Sequence, residues 1–290
     1  MAPLSPTIKG MLWMVATGVL FTILNAIMKK VSEQLDPWVV GWLRYLLGAF
    51  VMLPWVLRHG LARARPSSHR VQLLRGSFHT AGLVLWFAAL PVVTLAELTA
   101  IGFSVPLFIC LGAVLFLGEH ISAARWAAVL VGFGGVILVV QPWEGVGFSG
   151  VSLGGLLLLG SAPLFSGSFL MAKYLTRREP SDVIVLWQHA WVSLLFLPFA
   201  LVVWTHPSLE QWLWLSLCGL LGAAGHYCTN RAFHVADISA TQSIKFLDLV
   251  WAVLLGLAMF GTMPAGWTVI GGMVIMVSTL WLARRESRGT

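Results

Sequence analysis

Residues 95–119 read LAELTAIGFSVPLFICLGAVLFLGE, and residues 238–262 read ISATQSIKFLDLVWAVLLGLAMFGT. Each is an apolar run long enough for a membrane helix and closes on a glycine. At an offset of 143, Ile101 falls on Ile244, Phe103 on Phe246 and Gly118 on Gly261. The same offset brings Gly76 onto Gly219, Gly82 onto Gly225 and Ala89 onto Ala232. Nearer the N-terminus the offset becomes 144 and aligns Gly10 with Gly154, Phe21 with Phe165, Lys29 with Lys173 and Pro54 with Pro198. Chance identities are common among apolar residues, but a near-constant offset held helix for helix is not. The chain reads as two copies of one unit, residues 1–144 and 145–290.

Composition sets the environment of that unit. Of 290 residues 58% are hydrophobic and 10% charged, mean hydropathy is +0.87, and the net charge is +7. Soluble chains carry about 25% charged residues. The apolar excess runs from Ile8 to Ala283 and leaves little chain for a water-exposed lobe. Runs and breaks give ten spans, 9–30, 38–57, 73–90, 95–117, 122–141, 152–174, 183–204, 212–233, 239–260 and 265–283, each near the ~20 residues a membrane helix needs. The breaks carry turn chemistry or charge, as at Asp36-Pro37, Gly118-Glu119 and His206-Pro207. The first span is read as a retained helix, because no Ala-x-Ala cleavage pattern accompanies it.

Ten spans put both termini on one side. Fourteen of the 18 Lys and Arg fall on that side, among them Arg75 and Lys173; Lys29 and Lys30 fall on the other, and Arg44 and Lys245 lie within spans. Lys and Arg stay cytoplasmic, so both termini are expected in the cytoplasm of a bacterial inner-membrane protein. The basic balance is thus a topology signal, and nucleic acid is not an expected partner; membrane lipid and a small-molecule substrate are. Five spans per copy is odd, so the second copy enters from the opposite face. Inverted repeats of this kind recur in secondary transporters, with the substrate near the midplane between the halves.

The two five-span units, the Phe116-Leu117-Gly118-Glu119 ending of span 4 and Pro106 within that span resemble the EamA-type drug/metabolite transporter superfamily, and more narrowly its bacterial aromatic amino-acid exporters. The resemblance covers the whole chain and implies a cavity ringed by spans 1–4 and 6–9, with spans 5 and 10 outside. Gly261-Thr262 departs from it by lacking the Gly-Glu ending.

Ionisable groups at membrane depth are costly and face an interior or a cavity. Gln242, Lys245 and Asp248 form a stripe on one side of span 9. Either Lys245 and Asp248 neutralise each other, or Lys245 meets a substrate carboxylate with Asp248 as its ion-pair or proton-linked partner. The duplicate positions are Thr99, Gly102 and Val105, so the stripe is single. His79 and Trp86 lie two turns apart on one face of span 3, suited to an aromatic ligand. His226 and Asn230 form an i,i+4 pair in span 8, with Tyr227 beside them. Each histidine also has a plain reading as an interhelical hydrogen-bond partner, and that reading is preferred for His189, which duplicates Tyr45. Arg44, two turns from the external end of its span, has room to snorkel outward along its helix, and Glu97 is either a gate charge or, the preferred reading, a solvated helix-start residue.

Trp86, Trp187 and Trp251 fall away from the interfacial belts and join Phe103 and Phe165 as candidate cavity aromatics. Asn25, Ser161 and Ser168 are candidate cavity hydrogen-bonders. Pro106 and Pro163 sit near span centres and are hinge candidates, since proline removes a helix hydrogen bond. Ala124, Ala128 and Gly132 form a small-residue seam for helix packing or a weak homodimer; the chain is otherwise expected to be a monomer. Cys110, Cys218 and Cys228 are too scattered for a disulfide framework or metal site. No phosphate loop, nucleophile elbow or zinc-protease motif is present, and no cofactor is expected. Span 1 carries no acidic residue, unlike the small multidrug antiporters of the same superfamily.

The function these features and the resemblance imply is export or exchange of small amphipathic metabolites, aromatic or hydrophobic amino acids first, by alternating access. Lys245 would take the carboxylate; His79, Trp86, Phe103, Phe165 and Tyr227 would line the pocket, with Gln242, His226 and Asn230 as polar contacts. The alternatives are a broad drug/metabolite exporter and an intramembrane enzyme or lipid-binding module built on His79 and His226.

Overall fold

A computed structural model describes residues 4–89, 92, 102–140, 153–260 and 266–288. Among them there is no strand; they form twelve helical segments. These are α1 (Pro6–Val31), α2 (Pro37–Val51), α3 (Leu53–His59), α4 (His69–Ala89), α5 (Val105–Leu117), α6 (Ala123–Val140), α7 (Leu153–Thr176), α8 (Ser181–Val202), α9 (Leu209–Val235), α10 (Ile238–Lys245), α11 (Leu247–Phe260) and α12 (Gly266–Arg288).

Local chemistry starts and stops these helices. Ser5 and Asp36 accept the backbone N–H of Ile8 and Trp38 at 3.3 and 2.9 Å, and Pro6 and Pro37 occupy the first helical positions, where no N–H is needed. Ser208 and Gln211 cap each other at the start of α9. Gly118 ends α5 at φ +66°, a left-handed conformation glycine adopts without a side-chain clash, and the Glu119 N–H returns to the Ala113 carbonyl at 3.1 Å.

Among the described residues, six helical stretches are long and apolar enough to cross a membrane: Pro6–Met28, Pro37–His59, Leu153–Thr176, Ser181–Val202, Ile238–Leu255 and Gly266–Arg285. The helices α4 and α9 have sufficient length but carry polar residues, and these turn inward: Gln72, Arg75, His79 and Thr80 on α4, and His226, Thr229 and Asn230 on α9, are all buried. The outer surface is the apolar one, with Leu57, Phe116, Leu209 and Val202 each more than three-quarters exposed. Polar inside and apolar outside is the arrangement a lipid solvent selects.

The packing is cross-linked along the chain. The long contacts are α1 on α9, α4 on α7 and α8, α2 on α8 and α9, and α6 on α12. Glycines permit two of them. A Cβ on Gly225 would stand 2.8 Å from the Phe21 ring, and one on Gly82 would stand 3.0 Å from the Phe165 ring. Each pair in one helix couple is therefore the counterpart, at an offset of 143 or 144, of the pair in the other. The Ala124, Ala128 and Gly132 seam is filled within the chain: Ser278 of α12 donates to the Ala128 carbonyl at 3.0 Å, and Phe246 lies against Gly132.

Several expectations change. The span 38–57 is interrupted at Met52, between α2 and α3. The span 239–260 is interrupted at Phe246, between α10 and α11. Pro106 stands in the first turn of α5, directly after the turn at Phe103-Ser104, and not inside a longer described helix. Pro163 is inside an unbroken α7. Arg75 and Lys173, counted among the cations of the cytoplasmic side, are buried. Glu97, Thr99, Ile101, Trp143 and Gly261-Thr262 lie outside the described residues.

Candidate functional site

The helices α1, α2, α4, α5, α7, α9, α10 and α11 enclose a cavity of about 460 Å³. No described residue of α6 or α12 reaches it. Its walls are largely aromatic: Phe21, Tyr45, Trp86, Phe103 and Phe165 all line it. Two of these rings sit edge-on to a histidine that also lines the cavity. Phe21 meets His226 at 5.1 Å between centroids, and Phe165 meets His79 at 5.3 Å.

The two histidines are themselves neighbours, 5.9 Å apart, and a third, His189, lies 5.3 Å from His226. Tyr45 and the Nε2 of His79 share a hydrogen bond of 2.7 Å, and Nδ1 of His79 faces Ser168 Oγ at 3.4 Å. The Nδ1–H of His189 donates to the Val185 carbonyl at 2.9 Å, and its Nε2 is buried with no partner. His189 is not among the residues that line the cavity. Below this cluster Arg75 donates to the Ile184 carbonyl at 3.0 Å and to Gln188.

The polar stripe of α10 and α11 faces the cavity as a unit: Gln242, Lys245 and Asp248 all line it. Lys245 donates to Asp248 across the helix interruption. Gly18 of α1 makes the room, because a Cβ there would overlap the Asp248 carboxylate. Gln242 spends its amide N–H₂ on Ile238 and Thr241, at 3.1 Å each, while its Oε1 is buried with no partner. Asn25 and Ser161, expected as hydrogen-bonders, also line the cavity.

Two members of the expected set are elsewhere. Tyr227 points away from the cavity and meets Trp13 edge-on at 6.3 Å. Asn230 is buried behind the wall. Of the other aromatics, Trp187 donates to the Ala64 carbonyl at 2.8 Å and packs on His69, and Trp251 lies beside Gly18. Conversely Arg44, which has room to snorkel outward, lines the cavity with its guanidinium 4.8 Å from the Tyr45 ring. Its signal in the sequence is that Arg44, like Lys245, falls well inside an expected span.

One end of the bundle is tied by polar contacts. Glu119 accepts from the Ile238 and Ser239 N–H groups at 2.9 and 3.2 Å and from Ser239 Oγ at 2.8 Å, capping α10. Arg125 pairs with Asp237 at 2.9 Å. Lys173 donates to the Phe233 and Ala236 carbonyls, 2.6 Å each, at the end of α9. Glu179 accepts from Ser67 N–H and from Gln72 at 2.7 Å, holding the approach to α4.

Known proteins share this architecture. A solved crystal structure of a protein superposes with a TM-score of 0.82 over 96% of this chain and 97% of that one, at 18% identity, a likeness of fold. A riboflavin transporter of Rhizobium johnstonii is 33% identical across 98% of this chain and 94% of its own length. An S-adenosylmethionine uptake transporter of Rickettsia prowazekii is 25% identical across 97% of this chain and 94% of its own. The EamA-like transporter family model matches twice, over residues 8–141 and 152–284. The chain belongs to the EamA-like transporter family.

Proposed function

We propose that this membrane transporter carries flat heteroaromatic metabolites with a polar chain, of the riboflavin class, by alternating access between two inverted five-helix halves. The observation that carries the reading is the cavity wall, in which eight Phe, Tyr and Trp rings stand beside a few hydrogen-bonding groups. Such a wall stacks on a planar ring and orients it by its polar edge. Its ~460 Å³ falls within the ~300–1,000 Å³ usual for small-molecule sites. The similarity to a riboflavin transporter supports the same class.

Residues 1–144 and 145–290 are the two halves, a division supported by the double family match and by the counterpart contacts Phe21–Gly225 and Phe165–Gly82. The ten-span count rests on the apolar runs and their breaks, and the cytoplasmic termini on the Lys and Arg bias. His79, Trp86, Phe103, Phe165 and His226 form the ring pocket, and Gln242 offers an acceptor. The Lys245–Asp248 pair contributes a neutral polar edge, so Lys245 is not a free carboxylate receptor. Tyr227 and Asn230 leave the contact set. No chemical conversion is assigned to the site; the protein moves its cargo unchanged.

Purified protein in proteoliposomes is expected to take up radiolabelled riboflavin saturably, with competition from other flavins and none from phenylalanine or tryptophan. Riboflavin flux no greater than that of empty liposomes overturns the reading. Saturable tryptophan or phenylalanine flux in its place restores the amino-acid expectation.

A further inference from the structure

We propose that Arg44 is the residue that grips the cargo, its guanidinium forking onto two adjacent acceptor atoms at the edge of the bound ring. This rests on the reading of the cavity as a site for a flat heteroaromatic.

Arg44 lies seven residues into α2, roughly 10 Å along the helix at 1.5 Å per residue. A guanidinium at such depth carries five donors and needs acceptors. Nη1 has only the Met28 sulfur, a weak acceptor, at 3.9 Å, and Nε is buried with no partner. No carboxylate pairs with it among the described residues. What holds it is aromatic: the Tyr45 ring at 4.8 Å and the Phe21 ring at 5.9 Å. Aromatic faces attract a cation but use none of its N–H groups, so the donor fork stays available.

The other candidates are already engaged. Asp248 is the one carboxylate among the described cavity residues, and Lys245 holds it. Arg75, the second interior guanidinium, is bonded to Ile184 and Gln188 and does not line the cavity. Lys245 approaches the same Phe21 ring, at 5.8 Å, but is paired with Asp248, so of the two cations beside Phe21 only Arg44 is without a carboxylate among the described residues. The counterpart of Arg44 at an offset of 144 is the uncharged Gln188. The grip is therefore one-sided and gives the ring a fixed orientation. A guanidinium binds paired acceptors through two parallel hydrogen bonds, a geometry an ammonium lacks. A flavin presents such a pair at N1 and the C2 carbonyl, and another at N5 and the C4 carbonyl.

The test is calorimetric binding of riboflavin, 1-deazariboflavin and 5-deazariboflavin to purified wild-type, Arg44→Gln and Arg44→Lys proteins, with elution profiles checking folding. One deaza analogue is expected to bind the wild type about 10-fold more weakly than riboflavin. Arg44→Gln is expected to lose 10-fold or more in riboflavin affinity and to bind all three ligands alike. Arg44→Lys keeps the charge and fold but loses the discrimination, so it carries the test if Arg44→Gln does not fold. Riboflavin affinity of Arg44→Gln within twofold of wild type, or unchanged discrimination in both variants, overturns the proposal. If the wild type ignores all flavins, the flavin reading fails by itself. Arg44 is then tested with tryptophan against its methyl ester: wild-type preference for the free acid that vanishes in Arg44→Gln supports the grip, and no binding or an undiminished preference overturns it.

Discussion

Gly82 and Gly225 set how far two aromatic rings project into the cavity. The atoms nearest a new Cβ at these positions belong to Phe165 and Phe21, at 3.0 and 2.8 Å, tighter than ordinary van der Waals contact. A methyl group there pushes each ring away from its helix and toward the space the cargo occupies. Adding carbon to a packed contact costs about 1–3 kcal/mol when nothing can move; here the ring has a cavity to move into, so the effect falls on binding more than on folding. Gly82→Ala and Gly225→Ala are each expected to weaken riboflavin binding about 3- to 10-fold while shifting the melting temperature little. Because the two sites are counterparts in the duplication, the losses should be similar. A loss at one site with none at the other, in titrations run side by side, contradicts an equal role for the two Phe–His pairs.

At the scale of the helix, the interruption at Phe246 matters most. Its counterpart Phe103 also lies in a turn, and the two rings stack at 5.9 Å with 25° between their planes. Phe246 is fully buried against Gly132 of α6, so the joint between α10 and α11 is braced by tertiary contacts. Interrupted helices beside a central site are a recurring feature of transporters. Phe246→Ala removes the brace, and its expected signature is a transport rate lowered about 10-fold with riboflavin affinity within twofold of wild type. A parallel loss in both would make Phe246 part of the pocket. Membrane-length apolar helices were legible in sequence because they are continuous runs, and the near-constant offset of 143–144 pointed to two units, each of which the family model also matches. The Phe246 interruption was not legible, since neither glycine nor proline marks it and packing imposes it. Direction was equally hidden: a charge count placed Arg75 and Lys173 at the cytoplasmic ends but did not reveal that they turn into the bundle. An i,i+4 pair likewise shows that His226 and Asn230 share a face without fixing which of His226, Tyr227 and Asn230 meets the cavity.

At the scale of the whole molecule, one end of the described bundle is tied by polar contacts. On the side that the Lys and Arg bias assigns to the cytoplasm, Glu119, Arg125, Lys173 and Glu179 each bridge segments far apart in the chain. Toward the other side the described residues include a 3.3 Å contact of Gln211 with Gln34 and Lys30 over the Trp214 ring. A carrier that alternates must break the first set to open inward, so those contacts weight the balance between its two shapes. Glu119 is the sharpest point of attack, because its carboxylate takes three hydrogen bonds at the start of α10, where the helix dipole favours a negative charge. Neutralising it keeps the shape but forfeits the charge, a difference of about 1–2 kcal/mol, enough to shift a two-state population roughly 5- to 30-fold. The shift can be read with Ser161→Cys, whose side chain lines the cavity, in a chain with Cys110, Cys218 and Cys228 replaced by alanine. In right-side-out and inverted vesicles, Glu119→Gln is expected to speed labelling by a membrane-impermeant maleimide from the side of the termini and to slow it from the opposite side. Equal rates in the presence and absence of Glu119→Gln would show that capping α10 serves folding alone and that the inward-facing shape is held shut by other contacts.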